Sequence, residues 1–174
     1  EKIEIPDGIS QIESDAFSGC CSLKHITLPN NLSELGQYSF SNCTSLTKIN
    51  IPIGIIEIPI GCFHNCQSLT SIVIPEGVNR INDYAFGRCS SLVSSIHPQS
   101  CTKIVENVYE GCVSLSIVIG EPELEIYKYH PETYEMVTGG SLRKVFKKCK
   151  LLKNPYITIS SRESQLVVSM LKFW

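Results

Sequence analysis

The spacing of aromatic residues constrains this chain more than any other feature. Phe17, Phe40, Phe63, Phe86 and Tyr109 recur every 23 residues, and Cys20, Cys43, Cys66, Cys89 and Cys112 follow in step, three residues later. Ser22, Ser45, Ser68, Ser91 and Ser114, each followed by Leu, keep the same interval, as do Pro6, Pro29, Pro52, Pro75 and Pro98. With 9 Cys among 174 residues, four successive in-register recurrences arise by chance about once in a hundred thousand. A repeat of this length is one supersecondary unit that cannot bury its apolar face alone, so the units must stack into a solenoid.

Within a unit the apolar spacing reads Leu23-x-x-Ile26-x-Leu28, then Leu32 and Leu35, then Phe40-x-x-Cys43. The alternation around Ile26 and Leu28 predicts a short strand, and the Pro that follows has no N–H to give, which ends the ladder and turns the chain. Gly8, Asn31, Gly54 and Gly77, two residues past each Pro, suit a turn with positive φ. Stacking then predicts columns of like side chains about 4.8 Å apart.

The units IPDGISQIESDAFSGCCSLKHITLP, LPNNLSELGQYSFSNCTSLTKINIP and IPEGVNRINDYAFGRCSSL resemble the BspA-type leucine-rich repeat family, over residues 1 to about 119. The resemblance implies an α/β repeat solenoid: a right-handed superhelix with short parallel strands on the concave face. It also implies adhesion or protein recognition without catalysis, and it supplies no catalytic residue.

The pattern has two departures. After Leu92 the run Val-Ser-Ser-Ile96-His97-Pro98 puts Ser95 and His97 in inward slots and Ile96 in an outward one, which predicts a bulge or a shifted strand. Further on, Val145, Phe146, Cys149 and Leu152 repeat the aromatic signature, but Phe146 lies 37 residues after Tyr109. The excess of 14 residues falls between Gly120 and Ser141. The tail offers Tyr156–Ile159 as a strand, Ser160-x-x-Glu163 as a capping box, and an amphipathic run to Trp174 that predicts a C-terminal capping helix. The expected organisation is one leucine-rich-repeat domain over 1–174: regular repeats in 1–119, an insertion in 120–141, and a degenerate last repeat and cap in 142–174. Lys2–Ile5 starts inside a strand, so the chain reads as a monomeric fragment of a longer repeat array.

A net charge of -2 argues against a nucleic-acid partner, and no apolar run approaches the roughly 18 residues that membrane insertion needs. The in-register cysteines read as buried free thiols, compact apolar fillers. Cys21, Cys62 and Cys101 lie outside that column, where a disulfide or reactive thiol is easier to place. Cys62-Phe-His64-Asn-Cys66 invites a zinc reading, but the repeat assigns Phe63 and Cys66 to the core, and three ligands so close do not readily close a tetrahedron. No nucleophile–base set, cofactor or metal site is expected, and the chain is read as no enzyme.

The outward strand slots hold Glu4, Thr27, Asn50, Val73, Ile96 and Ile119 in order, and Lys2, His25, Lys48, Ser71, Ser94 and Ile117 two residues earlier. The concave face thus passes from polar to apolar. Either the insertion covers the apolar part, or the part is a recognition patch. Residues 121–135 carry five Glu against one Lys, with Tyr127, Tyr129 and Tyr134 interleaved, and they either pack on the solenoid or bind. Val73, Ile96, Ile117, Ile119, Tyr127, Tyr129 and Tyr134 are therefore the expected contacts for a protein partner. Arg143, Lys144, Lys147, Lys148, Lys150 and Lys153 form a basic end, which reads as a solvated face or as a dock for an anionic surface. The resulting expectation is an interaction or adhesion module at the cell surface or secreted. The alternative is a cytoplasmic regulatory scaffold docking through the basic end.

Overall fold

The structure is a computed structural model, and it describes residues 1–119, 125–129, 136–138, 145 and 147–149. A 23-residue coil typically contributes not one short strand but two, the third coil lacking the first of them. The first series is β1 (Lys2–Glu4), β3 (His25–Thr27), β6 (Ser71–Val73), β8 (Ser94–Ile96) and β10 (Ile117–Ile119). The second is β2 (Gln11–Ile12), β4 (Glu34–Leu35), β5 (Glu57–Ile58), β7 (Arg80–Ile81) and β9 (Lys103–Val105). Within both series pairing is parallel, equivalent residues lying side by side, as in Ile3 beside Ile26 and Ile58 beside Ile81. The middle residues of the first series and the second residues of the second series point into one common core.

A third wall closes each coil. Phe40, Phe63, Phe86 and Tyr109 are fully buried, and successive rings from Phe17 to Tyr109 stack with centroids 5.3, 5.6, 5.5 and 5.5 Å apart, within 9° of parallel. The backbone here forms its own ladder: Phe40 N–H donates to Cys62 O, Phe63 to Ala85, and Phe86 to Val108, at 2.8 to 3.0 Å. Despite the 14 extra residues, Tyr109 N–H reaches Val145 O at 3.2 Å and Gly111 N–H reaches Lys147 O at 2.9 Å.

The cysteine column does more than fill space. Cys43, Cys66, Cys89 and Cys112 are buried, and each thiol donates to the carbonyl of the aromatic residue one coil earlier, at 3.0 to 3.2 Å. Cys149 does the same to Tyr109 O. Burial pushes the Cys43 and Cys149 thiols up to about 12 and that of Cys66 higher, which keeps the proton this donation needs. All nine cysteines are free; Cys62 and Cys101 are buried, and Cys21 is exposed.

Three expectations need correction. Among the described residues there are strands and turns but no helical element, so the described part is a parallel β-solenoid rather than an α/β one; the expected capping helix lies outside the described residues. No bulge occurs at Ser95: β8 runs in unbroken register between β6 and β10. Of the glycine-type turn positions after Pro, only Gly8 and Gly77 have positive φ. Left-handed backbone instead brackets the aromatic wall, at Asp15, Tyr38, Gly61, Tyr84 and Asn107 and again at Gly19, Asn42, Asn65, Arg88 and Gly111.

Candidate functional site

The expected contact residues divide between two surfaces. On the outward face of the first sheet Glu4, Thr27 and Asn50 are exposed, Val73 is half-buried, and Ile96 is only 5% exposed. Ile119 is the register partner of Ile96, and Ile117 that of Ser94. Tyr127 and Tyr129 lie instead on β11 (Glu125–Tyr129), which extends the second sheet by pairing parallel with β9, Tyr127 beside Val105. An antiparallel strand, β12 (Met136–Thr138), then pairs with β11. The described part of the insertion thus continues the second sheet, away from β10. Tyr134 lies outside the described residues.

The polar residues in the inward slots of β8 and just after it have a partner that periodicity could not name. Tyr109, the one tyrosine in the aromatic column, places its hydroxyl 2.7 Å from Ser95 Oγ and 2.7 Å from His97 Nε2. His97 Nδ1 is buried without a hydrogen-bond partner, and burial lowers the imidazole to about 4. The group is neutral and buried, so it serves packing.

On the turn side, a groove of about 270 Å³ is lined by Tyr38, His64, Tyr84, Arg88 and Glu110. Its walls come from successive coils. His64 and Glu110 occupy one repeat position, with Gly87 between them supplying no side chain; an added Cβ there would meet His64 Nδ1 at 2.9 Å and Tyr84 Cδ1 at 3.1 Å. The His64 and Tyr84 rings meet edge to face, 6.0 Å apart, and His64 Nδ1 is buried without a hydrogen-bond partner. Burial and then Arg88 lower the imidazole, opposed by Glu110, so at neutral pH it carries one donor and one acceptor nitrogen. Glu110 is desolvated, yet Lys147 at 3.2 Å and Lys148 at 3.3 Å hold it ionised, below the usual carboxylate range. Beside it the Tyr84 hydroxyl bonds to Glu110 and is pushed up by burial and by that charge. Sequence reading missed this site. The signal was present as Tyr38 and Tyr84 in a column otherwise holding Asp15, Gly61 and Asn107.

Two of the basic-end lysines, Lys147 and Lys148, are therefore committed to Glu110. Asp83, one coil below Glu106, is raised to about 6 by burial, against a bond from Asn107. Cys62 and Cys66 use their sulfurs inside the core, toward Ser39 Oγ and Phe40 O. Among the described residues no group of three or more His, Cys, Asp and Glu side chains is placed to hold a metal ion.

No curated protein matches the chain. Among solved structures, a leucine rich cell surface protein of Faecalibacterium prausnitzii is 36% identical over 69% of this chain and 32% of its own, with a TM-score of 0.67. The leucine rich repeat protein of T. pallidum is 34% identical over 68% of this chain and 57% of its own, with a TM-score of 0.65. The pneumococcal vaccine antigen PcpA, at 16% identity and a TM-score of 0.70 over 97% of this chain and 38% of its own, shares the fold. The chain thus spans about a third of the first relative's length and somewhat over half of the second's. The model of the BspA type leucine rich repeat region matches residues 1–116 in six copies. With that match over more than half its length, the chain belongs to the BspA-type leucine-rich repeat family.

Proposed function

We propose that the chain is a non-enzymatic protein-recognition module, displayed at a cell surface or secreted, that meets its partner on the first-sheet face of its C-terminal half. The observation that carries this reading is the outward column of the first sheet, which passes from exposed Glu4, Thr27 and Asn50 to half-buried Val73 and buried Ile96. Exposed apolar surface beside polar residues is a usual mark of an interface, and half-buried Val73 is where this column offers it. Ile117 and Ile119 continue the same ladder. In this reading Ile96 shapes the surface from beneath, Val73 contacts the partner, and Tyr127, Tyr129 and Tyr134 form a separate contact at the end of the second sheet. The surface setting is supported by the 36% identical cell surface relative.

Cross-linking of the immobilised chain to an extracellular protein fraction, followed by mass spectrometry, identifies the partner. Val73→Asp should then abolish binding with little change in melting temperature, while Thr27→Ala and Asn50→Ala leave it intact. Loss of binding in the latter pair, with Val73→Asp still binding, overturns the placement. Binding that survives Val73→Asp but fades with salt and with loss of Lys147 favours the cytoplasmic scaffold instead.

A further inference from the structure

Three residues around the turn-side groove hold backbone conformations that their side chains disfavour. Tyr38, Tyr84 and Arg88 have φ of 55°, 52° and 60°, in the left-handed region where a bulky residue is strained. Most equivalent positions in other coils use residues that tolerate it: Asp15, Gly61 and Asn107 in the tyrosine column, and Gly19, Asn42, Asn65 and Gly111 in the arginine column, where the last member, Lys148 with φ of 67°, is the exception. The fold needs the conformation at every coil but not these side chains. All three line one groove. Strained bulky residues gathered at one surface site, with a fourth, Lys148, adjoining it through its ion pair with Glu110, point to a role for the site.

The groove has a definite chemistry. Tyr38, 38% exposed, lays its ring over Gly61, where any Cβ would collide with it. With Tyr84, it offers two aromatic surfaces against which an apolar C–H face can rest. Between them and Arg88 lie a carboxylate acceptor, Glu110, and the buried, unpartnered Nδ1 of His64, facing the space above Gly87. Arg88 is exposed and adds a fork of donors. The lining holds one acid, Glu110, and one base, Arg88, and Lys147 and Lys148 already pair with that acid, so the groove keeps no uncompensated negative charge to attract a cation. Paired donors and acceptors beside flat aromatic faces match vicinal hydroxyls on a ring. The volume of about 270 Å³ is just below the roughly 300 to 1,000 Å³ of drug-sized sites, the scale of a single sugar ring.

We propose that this groove binds one hexopyranose unit of a glycan, its C–H face against Tyr38 and Tyr84 and its hydroxyls on Glu110, His64 and Arg88. The site goes beyond the protein-recognition reading and uses none of the residues assigned to it.

The test is saturation-transfer NMR on the full chain with D-glucose, D-galactose, D-mannose and N-acetylglucosamine as separate probes, and a Glu-rich peptide as a fifth. At least one sugar should receive transfer, strongest on ring C–H protons. Tyr84→Asn and Arg88→Asn, which place a left-handed-tolerant residue at each strained position, should weaken that sugar at least tenfold while melting at or above the wild type. Should Tyr84→Asn melt lower, Arg88→Asn decides, because its side chain is exposed. Transfer to none of the four sugars, transfer only to the peptide, or sugar transfer undiminished in Arg88→Asn overturns the proposal.

Discussion

The third and fifth coils, residues 48–70 and 94–116, fail in opposite ways. The third has a wholly apolar interior, with Ile49, Ile51, Ile55, Ile58, Phe63 and Cys66 all buried, yet both sheets break beside it. His25 and Lys48 form only an isolated bridge, and β4 does not pair with β5. Its outward turn carries Ile53 and Ile56, 78% and 61% exposed, where other coils place Asp, Asn, Glu, Gln, Ser or Thr. The fifth coil has continuous ladders on both sheets but a polar interior of Ser95, His97 and the Tyr109 hydroxyl. Side-chain burial and backbone pairing are therefore separable in this solenoid. What the two coils share is the aromatic wall, unbroken through both.

If that wall is the common support, removing its centre should have the largest effect. Phe63 is fully buried between the rings of Phe40 and Phe86. Phe63→Ala is expected to cost about 3 to 5 kcal/mol, measured by denaturant unfolding, and to loosen coils on both sides because each contacts only its neighbours. A loss near 1 kcal/mol would mean that the two sheets, broken as they are, hold the third coil by themselves.

The wall was the part most legible in the sequence, since a fixed side-chain column repeats as letters. The inward slots of β3, β6 and β8 were legible too, through period-two alternation. The second sheet was not, because two-residue strands such as Glu57–Ile58 are too short to alternate and Leu35 or Ile81 reads simply as another apolar position. The groove was obscured for a different reason: its meaning lies in φ, and Tyr38 carries no letter that announces a left-handed backbone. The strand within the insertion was not legible either: the acidic, tyrosine-rich composition of residues 121–135 left covering and binding both open, and gave no sign that Glu125–Tyr129 continues the second sheet by backbone pairing.

The polar interior of the fifth coil should show itself as pH dependence. His97 is held neutral with a value of about 4 against an ordinary 6.5, so between those values the unfolded chain takes up the proton more readily. The stability is complete above pH 6.5 and is lost as pH falls toward 4, by about 3 kcal/mol. Asp83, raised to about 6, runs the other way: its contribution is full at low pH and fades as pH rises through 6. The comparison must therefore be with a variant. Ser95→Ile/His97→Ile/Tyr109→Phe, which gives the fifth coil the interior of its neighbours, should gain on the wild type progressively from pH 6.5 to 4 in parallel urea titrations. A constant difference across that range would place the titration elsewhere.

A smaller effect tests the polar group alone. Tyr109→Phe leaves Ser95 and His97 without their shared hydroxyl, and should cost about 1 to 3 kcal/mol at neutral pH, the penalty for orphaned buried polar groups. Differential scanning calorimetry reads it directly. If the single change costs nothing, the hydroxyl was not satisfying either partner.

The smallest effect concerns the broken ladder of the third coil and has the most specific cause. In neighbouring coils the residue after the second strand donates back one coil: Gly36 N–H to Ile12 O at 2.7 Å and Asn82 N–H to Ile58 O at 2.9 Å. The third coil has Pro59 in that place, with no N–H, so the bond to Leu35 O is lost. Pro59→Asn restores the donor, worth about 0.5 to 1.5 kcal/mol, but also frees the unfolded chain, which costs about 0.4 to 1 kcal/mol. The two nearly cancel, leaving a net gain below about 1 kcal/mol. Melting temperature is thus a poor readout, and hydrogen exchange is a good one. The amide that Pro59→Asn introduces should be protected to the same degree as the Asn82 amide, and the backbone around Leu35 and Glu57 should exchange more slowly than in the wild type. An unprotected amide there would show that the break has a cause other than proline, with the exposed Ile53–Ile56 turn and the close approach of Gly54 to Leu32 O, 2.8 Å from where a Cβ would stand, as the next places to substitute.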